Sequence, residues 1–160
     1  WGERWSKLTT NASSNPVGAM TGLGSQGVAE DPGARAIRVH ICKESVLVGR
    51  ALGYQVEPVA GLPADTWAGA DRGDVFEELE AKFQAVAGGT DWKSSMGQDV
   101  AKGRRTEIQY MNGYISRRGR EAGVPTPVND AMVQVVADID AGRLTPGVPN
   151  IQRVLETAGL

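Results

Sequence analysis

Lys7, Asn11 and Asn15 recur every fourth residue near the start of the chain. On a helix each step of four drifts only about 40 degrees, so one ammonium and two amides stand in a row on one face. Such a row is either the wet side of a surface helix or a donor-rich binding face. Asparagine is a poor helix former, and two of them in one row with a lysine fit a binding face better than a solubility device.

Ser95 and Glu107 form a second group. Each has a structural reading of its own: Ser94-Ser95 can cap the helical pattern that follows, and Glu107 can sit in a first helical turn, where the dipole favours a carboxylate. Asp99 is the expected partner of Arg104 or Arg105. Gly22-Leu-Gly-Ser-Gln-Gly27 spells the dinucleotide fingerprint, but that motif needs a strand before it and a βαβ unit around it, and neither is predicted here. His40 reads as core or surface filler. Glu44 interrupts an apolar stripe and reads as a half-buried, paired carboxylate. Arg117, Arg118 and Arg120 read as a solvated face, or as an anion recruiter if they flank a small-molecule site.

The elements that must position these residues are helical. Trp5, Leu8 and Ala12 mark a first helix over 1–20, with a kink or break expected around Asn15-Pro16 because proline removes a backbone donor and crowds the preceding turn. A glycine-rich connector is expected over 21–31. Asp31-Pro32 and Gly53 bracket a helix over 32–52 with Ile37, Ile41, Val48 and Leu52 as its stripe. The stretch 54–72 reads as a loop with one short helical turn and no periodic face. Asp74 and Glu77 form a capping-box pattern ahead of Phe76, Leu79, Phe83 and Val86, and Gly88-Gly89 ends that helix. A stretch over 95–123 carries Ile108, Met111 and Ile115, with a break expected near Gly103. Thr126-Pro127 opens a helix that ends at Gly142, and a last short helix is expected over 149–158. About six helical segments and no period-2 strand make the class all-α.

Composition sets the outer bounds. With 160 residues, 41% hydrophobic and 22% charged, the chain is one ordinary globular domain. Seventeen basic against nineteen acidic residues, a net charge of -2, offer nucleic acid no attraction. No apolar run approaches the ~20 residues of a membrane span, and the expected compartment is the cytoplasm. One cysteine, Cys42, and one histidine cannot build a disulfide or the usual zinc site, so no metal is expected. A start on Trp1, as if in mid-helix, leads to the expectation that the chain is a piece of something longer.

Together, Trp5-Ser-Lys7-Leu-Thr-Thr-Asn11-Ala-Ser-Ser-Asn15-Pro16, Ser94-Ser-Met-Gly-Gln-Asp99-Val, Arg105-Thr-Glu107-Ile-Gln-Tyr-Met-Asn112-Gly113 and Gly123-Val-Pro-Thr-Pro-Val-Asn129 resemble, in order and spacing, the C-terminal domain of ketopantoate reductases. The resemblance implies a helical bundle-like domain of the 6-phosphogluconate dehydrogenase C-terminal type over 1–160, which serves substrate binding and dimerisation and follows an N-terminal Rossmann domain not contained in this chain. It implies an enzyme that reduces 2-dehydropantoate to pantoate with NADPH, on the route to pantothenate and coenzyme A. By the match, Lys7 would be the general acid, Asn11 and Asn15 would hold the substrate, Ser95 would bind its carboxylate and Glu107 would hydrogen-bond its hydroxyl. The residues suit that chemistry: hydride addition to a ketone builds alkoxide charge, which an ammonium stabilises and protonates. A glutamate accepting from a hydroxyl rejects analogues that lack one.

One departure concerns the connector, where some family members carry a further asparagine and Ser25 is the nearest residue here. Two alternatives follow: a related reductase acting on another 2-oxo acid, or a non-catalytic helical dimerisation domain. A homodimer is expected, with Phe76, Leu79 and Phe83 as contributors to its apolar face. The fragment alone is expected to be inactive.

Overall fold

The computed structural model describes all 160 residues, and the fold is all-α, as expected. Nine α-helices and one 3-10 turn replace the six segments counted from the sequence, because the stretch 95–123 divides into α6, the 3-10 turn and α7, and the expected connector and loop contain α2 and α4. In chain order they are α1 (Gly2–Thr21), α2 (Ser25–Glu30), α3 (Pro32–Ala51), α4 (Ala64–Ala68), α5 (Val75–Gln84), α6 (Ser95–Ala101), the 3-10 turn (Ile108–Tyr110), α7 (Asn112–Ala122), α8 (Pro127–Asp140) and α9 (Pro149–Thr157).

Helix α3 is the axis of the molecule. Asp31 accepts from the Ala34 amide at 2.9 Å and Pro32 occupies the first turn, so the predicted start holds. Packed around α3 are α1, α2, α4, α5, α7, α8 and α9. One face carries Ile37, Ile41 and Val48 into a core shared with Trp5, Met20, Ile115 and Met132. Another carries Val39, Cys42 and Val46 into a second, smaller core around Trp67, Leu79 and Phe83.

The expected break at Asn15-Pro16 does not occur: α1 runs through Pro16 to Thr21. Proline at 16 cannot donate to the carbonyl of Ala12, and that carbonyl instead accepts from the Asn112 side-chain amide of α7 at 3.2 Å. An interior bond from another helix thus satisfies the group whose loss normally bends a proline-containing helix. Helix α1 ends where Gly22 takes φ 75°, and the expected connector then contains α2.

Four local expectations are corrected. The Asp74 side chain makes no capping bond, and α5 stops at Gln84 rather than at Gly88-Gly89. Ser94, not Ser95, caps α6, its Oγ accepting from the Gly97 amide at 3.0 Å. Thr126 does not cap α8 with its side chain; Glu44 of α3 does so from outside, accepting from the amides of Val128 at 2.8 Å and Asn129 at 3.0 Å. Asp99 forms no ion pair with Arg104 or Arg105, the link between the segments being the bond from the Arg104 amide to the Asp99 carbonyl at 2.8 Å. The break expected near Gly103 is present, with φ +69° at that residue.

Leu79 and Phe83 are not available for a dimer face. They are 1% and 5% exposed within the second core, and Phe76 packs against its edge. Alternation of apolar residues marks a buried face without saying whether this chain or another covers it. No helix is long and apolar enough to cross a membrane.

Candidate functional site

Helix α1 presents Asn11 and Asn15 to a cleft of about 250 Å³, and α6 closes the opposite wall with Ser95 and Asp99. Glu107, at the entry to the 3-10 turn, completes the polar lining, with Leu8, Met96 and Met111 as its apolar part. Four of the five residues singled out from the sequence therefore meet in one cleft. The fifth, Lys7, does not line it: it is an exposed residue one turn before Asn11 on α1. A step of four residues is a rise of about 6 Å, within the span of a lysine side chain.

The local structure that brings these groups together can be traced bond by bond. While capping α6, Ser94 Oγ also donates to the Asn15 carbonyl at 3.1 Å, tying the start of α6 to α1 beside the asparagine row. Ser95, one residue on, is thereby placed on the cleft with its hydroxyl uncommitted. Glu107 is held by its neighbours: Thr106 donates from its amide and its hydroxyl to the two carboxylate oxygens of Asp140, at 3.0 and 2.7 Å, and Ile108 is fully buried. None of the polar groups of Lys7, Asn11, Asn15, Ser95 and Glu107 is spent on a side-chain hydrogen bond or ion pair within the chain.

The lining combines two carboxylates, Asp99 and Glu107, with two amides and a hydroxyl, and it contains no cation. It offers neutral donors for a carboxylate or carbonyl and acceptors for a hydroxyl, and it leaves positive charge to be supplied from its rim. Asp99, Ser94, Thr106 and Asp140 are the contributors that pattern reading missed. The Ser94 register was ambiguous between two adjacent serines, and the Thr106–Asp140 bond joins residues too far apart in sequence to show a spacing.

The remaining candidates lie elsewhere. Gly22 to Gly27 join the end of α1 to α2 with no strand on either side, so the glycines form no dinucleotide cradle. Ser25 faces a different cavity, and its hydroxyl is engaged with Trp92 and Thr90. The His40 ring lies tilted at 50° to that of Phe76 with centroids 5.0 Å apart, and burial pulls its pKa down. Cys42 is a buried free thiol that burial pushes up to about 12, and so is inert. Arg118 and Arg120 pair with Glu121 and Asp130, and no arginine of the 117–120 group lines the cleft. Glu44 is buried and bonded to amides rather than ion-paired.

The fold and the cleft together define an all-helical domain with a small polar cleft between α1, α6 and the 3-10 turn. A ketopantoate reductase of the PanE/ApbA family from Ralstonia eutropha superposes with a TM-score of 0.66 at 27% identity, over 87% of this chain and 41% of that one. D-mandelate dehydrogenase, solved with NADH, superposes with a TM-score of 0.66 at 23% identity over 88% of this chain and 42% of that one, a likeness of fold. The chain belongs to the family described as "Ketopantoate reductase PanE/ApbA C terminal", which matches residues 1–140. Among relatives named 2-dehydropantoate 2-reductase, that of Caulobacter vibrioides is 34% identical over 89% of this chain, and that of Vibrio cholerae 32% identical over 85%. The chain spans only 41% and 40% of those two proteins.

Proposed function

We propose that this chain is the substrate half of an NADPH-dependent 2-dehydropantoate 2-reductase acting in the cytoplasm, and that a Rossmann domain elsewhere in a longer protein supplies the cofactor site. The observation that carries the reading is the set of polar side chains Asn11, Asn15, Ser95 and Glu107 around one cleft, with exposed Lys7 one turn before Asn11 on α1. What weighs against the non-catalytic alternative is convergence: Asn11 and Asn15 from α1, Ser95 from α6 and Glu107 from the entry to the 3-10 turn line one cleft.

Gly22 to Gly27 form no dinucleotide cradle, and in this reading the hydride enters from the Rossmann domain. What the chain's own residues do is bind and protonate. Asn11 and Asn15 hold the oxo acid through neutral amide donors, Ser95 donates to its carboxylate, and Glu107 accepts from its hydroxyl. Lys7 swings over the row and gives its proton to the carbonyl oxygen as negative charge develops there. Because the lining itself holds no cation, the lysine is the group that offsets the charge of the substrate as well as that of the transition state.

A second reading, another 2-oxo acid as substrate, is favoured by one observation: Ser25 stands where some family members have an asparagine, and it does not reach the cleft. Both readings are tested by NADPH oxidation with the full-length protein. Ketopantoate is expected to outperform other 2-oxo acids in kcat/KM, and Lys7→Ala is expected to lower kcat by about a hundredfold or more. Undiminished turnover in that variant would remove Lys7 from the mechanism. The 160-residue chain alone is expected to show no turnover.

A further inference from the structure

Glu107 belongs to an exposed stretch of chain held at two points. From residue 101 to residue 110 only Thr106 and Ile108, its two neighbours, are buried. Ile108 is held by apolar packing in the larger core. Thr106 is held by a single group, the carboxylate of Asp140, the last residue of α8. One oxygen accepts from the Thr106 amide at 3.0 Å and the other from its hydroxyl at 2.7 Å. No other hydrogen bond ties residues 105–109 to a neighbouring helix.

A carboxylate is poorly placed at the end of a helix, where the backbone dipole already carries partial negative charge. The two donors of Thr106 offset that cost, and Asp140 has no cation beside it to do so. Two bonds from one residue to two oxygens fix orientation as well as position, and backbone orientation at Thr106 decides where the next side chain points. The chain here runs between two hollows that share no lining residue. Glu107 lines the substrate cleft, whereas Asp140 lines a cavity of about 270 Å³ with Arg105, Thr106, Ile108 and Ala137. That cavity is space into which the segment can move once its bonds to α8 are gone.

We propose that Asp140, outside the cleft, is the positioning residue for Glu107, and that it thereby sets the preference for an oxo acid bearing a hydroxyl. The inference rests on the reductase reading, in which Glu107 accepts from the substrate hydroxyl. A hydrogen bond weakens steeply with distance and angle, so a displaced Glu107 loses the hydroxyl. The contacts of Asn11, Asn15 and Ser95 to the oxo and carboxylate groups come from α1 and α6 and stay. The loss therefore falls on discrimination and not on turnover in general.

The test is NADPH oxidation by the full-length protein with ketopantoate and with 3,3-dimethyl-2-oxobutanoate, which lacks the hydroxyl. Asp140→Ala is expected to lower the ratio of the two kcat/KM values by about tenfold or more, through ketopantoate alone. Asp140→Asn and Thr106→Val each remove part of the two-point bond and should fall between, and Thr106→Ser, which keeps both donors, should restore the ratio. In a Glu107→Ala background Asp140→Ala should lower the ratio no further, since no carboxylate is left to position. Circular dichroism identifies the folded variants, and Asp140→Asn and Thr106→Val carry the test if Asp140→Ala does not fold. An unchanged ratio in the folded variants, an equal fall for both acids, or a further fall in the Glu107→Ala background would overturn the inference and leave the reductase reading standing. Turnover of neither acid by the unaltered protein, or a ratio indifferent to Glu107→Ala, would overturn the reading of Glu107 and the inference with it.

Discussion

Two carboxylates in the same cleft should not do the same thing. Glu107 is fixed between the Thr106 clamp and buried Ile108, and in the proposed reading it accepts from the substrate hydroxyl. Asp99 lines the same cleft from α6 without an ion-pair partner, so toward an anionic substrate it contributes only repulsion. The same loss of charge should therefore have opposite effects. In steady-state assays of the full-length protein, Asp99→Asn should lower KM by about two- to fivefold, corresponding to roughly 0.5–1 kcal/mol of relieved repulsion at a wet site. Glu107→Gln, which removes a charged hydrogen bond, should lower kcat/KM by about tenfold or more. Parallel changes in the two variants would mean that the cleft reads net charge rather than specific contacts. At this scale the pairing of Asn11 with Asn15 was legible, because helical spacing alone places them on one face; Lys7, one step earlier in the same row, does not line the cleft. That Ser95 rather than Ser94 is free was not, because the two differ by one residue and either can cap.

At the scale of elements, long-range side chains do what local signals were expected to do. Asn112 of α7 takes up the Ala12 carbonyl that Pro16 leaves free, so a residue that reads as a helix breaker lies inside the continuous run of α1. Glu44 of α3 caps α8 in place of Thr126, and Asn129 donates to the same carboxylate at 2.7 Å while accepting from Asn112 at 3.0 Å. One polar chain thus links α1, α3, α7 and α8 through the core, and no local pattern could have shown it, since its bonds join residues 17, 84, 85 and 100 apart. Burial raises the Glu44 carboxyl to about 7, outweighing the amides of Asn129 and Val128, which pull it down. A folded-state value above the ordinary 4.5 means that the folded chain holds the proton more tightly than the unfolded one. The stability this group contributes is complete below about 4.5 and is lost as pH rises through about 7. Glu44→Gln does not titrate, so any constant cost of its amide is the same at every pH. Denaturant midpoints measured from pH 4 to pH 8 should show the unaltered protein losing stability relative to the glutamine variant, by about 3 kcal/mol at most. A gap that stays level, or closes in the other direction, would mean that the three amide donors outweigh desolvation.

Across the whole molecule the two cores divide the labour. The larger one, built on α1, α3, α7, α8 and α9, stands behind the cleft; the smaller one gathers α3, α4 and α5 around Trp67. That smaller core was the least legible part of the fold. Residues 54–72 show no apolar period, yet Trp67 from this stretch is fully buried and donates from Nε1 to the Val59 carbonyl at 2.9 Å. A single large side chain on a five-residue helix leaves no periodic trace, and its role depends on partners contributed by α3 and α5. Removing it should expose the division. Trp67→Ala should cost about 3–5 kcal/mol, the range for deleting a buried aromatic, because a cavity opens beside Phe83, whose ring centroid lies 5.6 Å from that of Trp67. The loss should be local. Hydrogen exchange is expected to accelerate in α4 and α5, whereas α1, α7 and α8, which draw on the other core, should keep their protection under conditions where the variant remains folded. The Asn11–Glu107 cleft should likewise survive, since its walls rest on α1, α6 and the 3-10 turn. Uniform loss of protection across all helices would show instead that the two clusters unfold as one cooperative unit, with α3 coupling them completely.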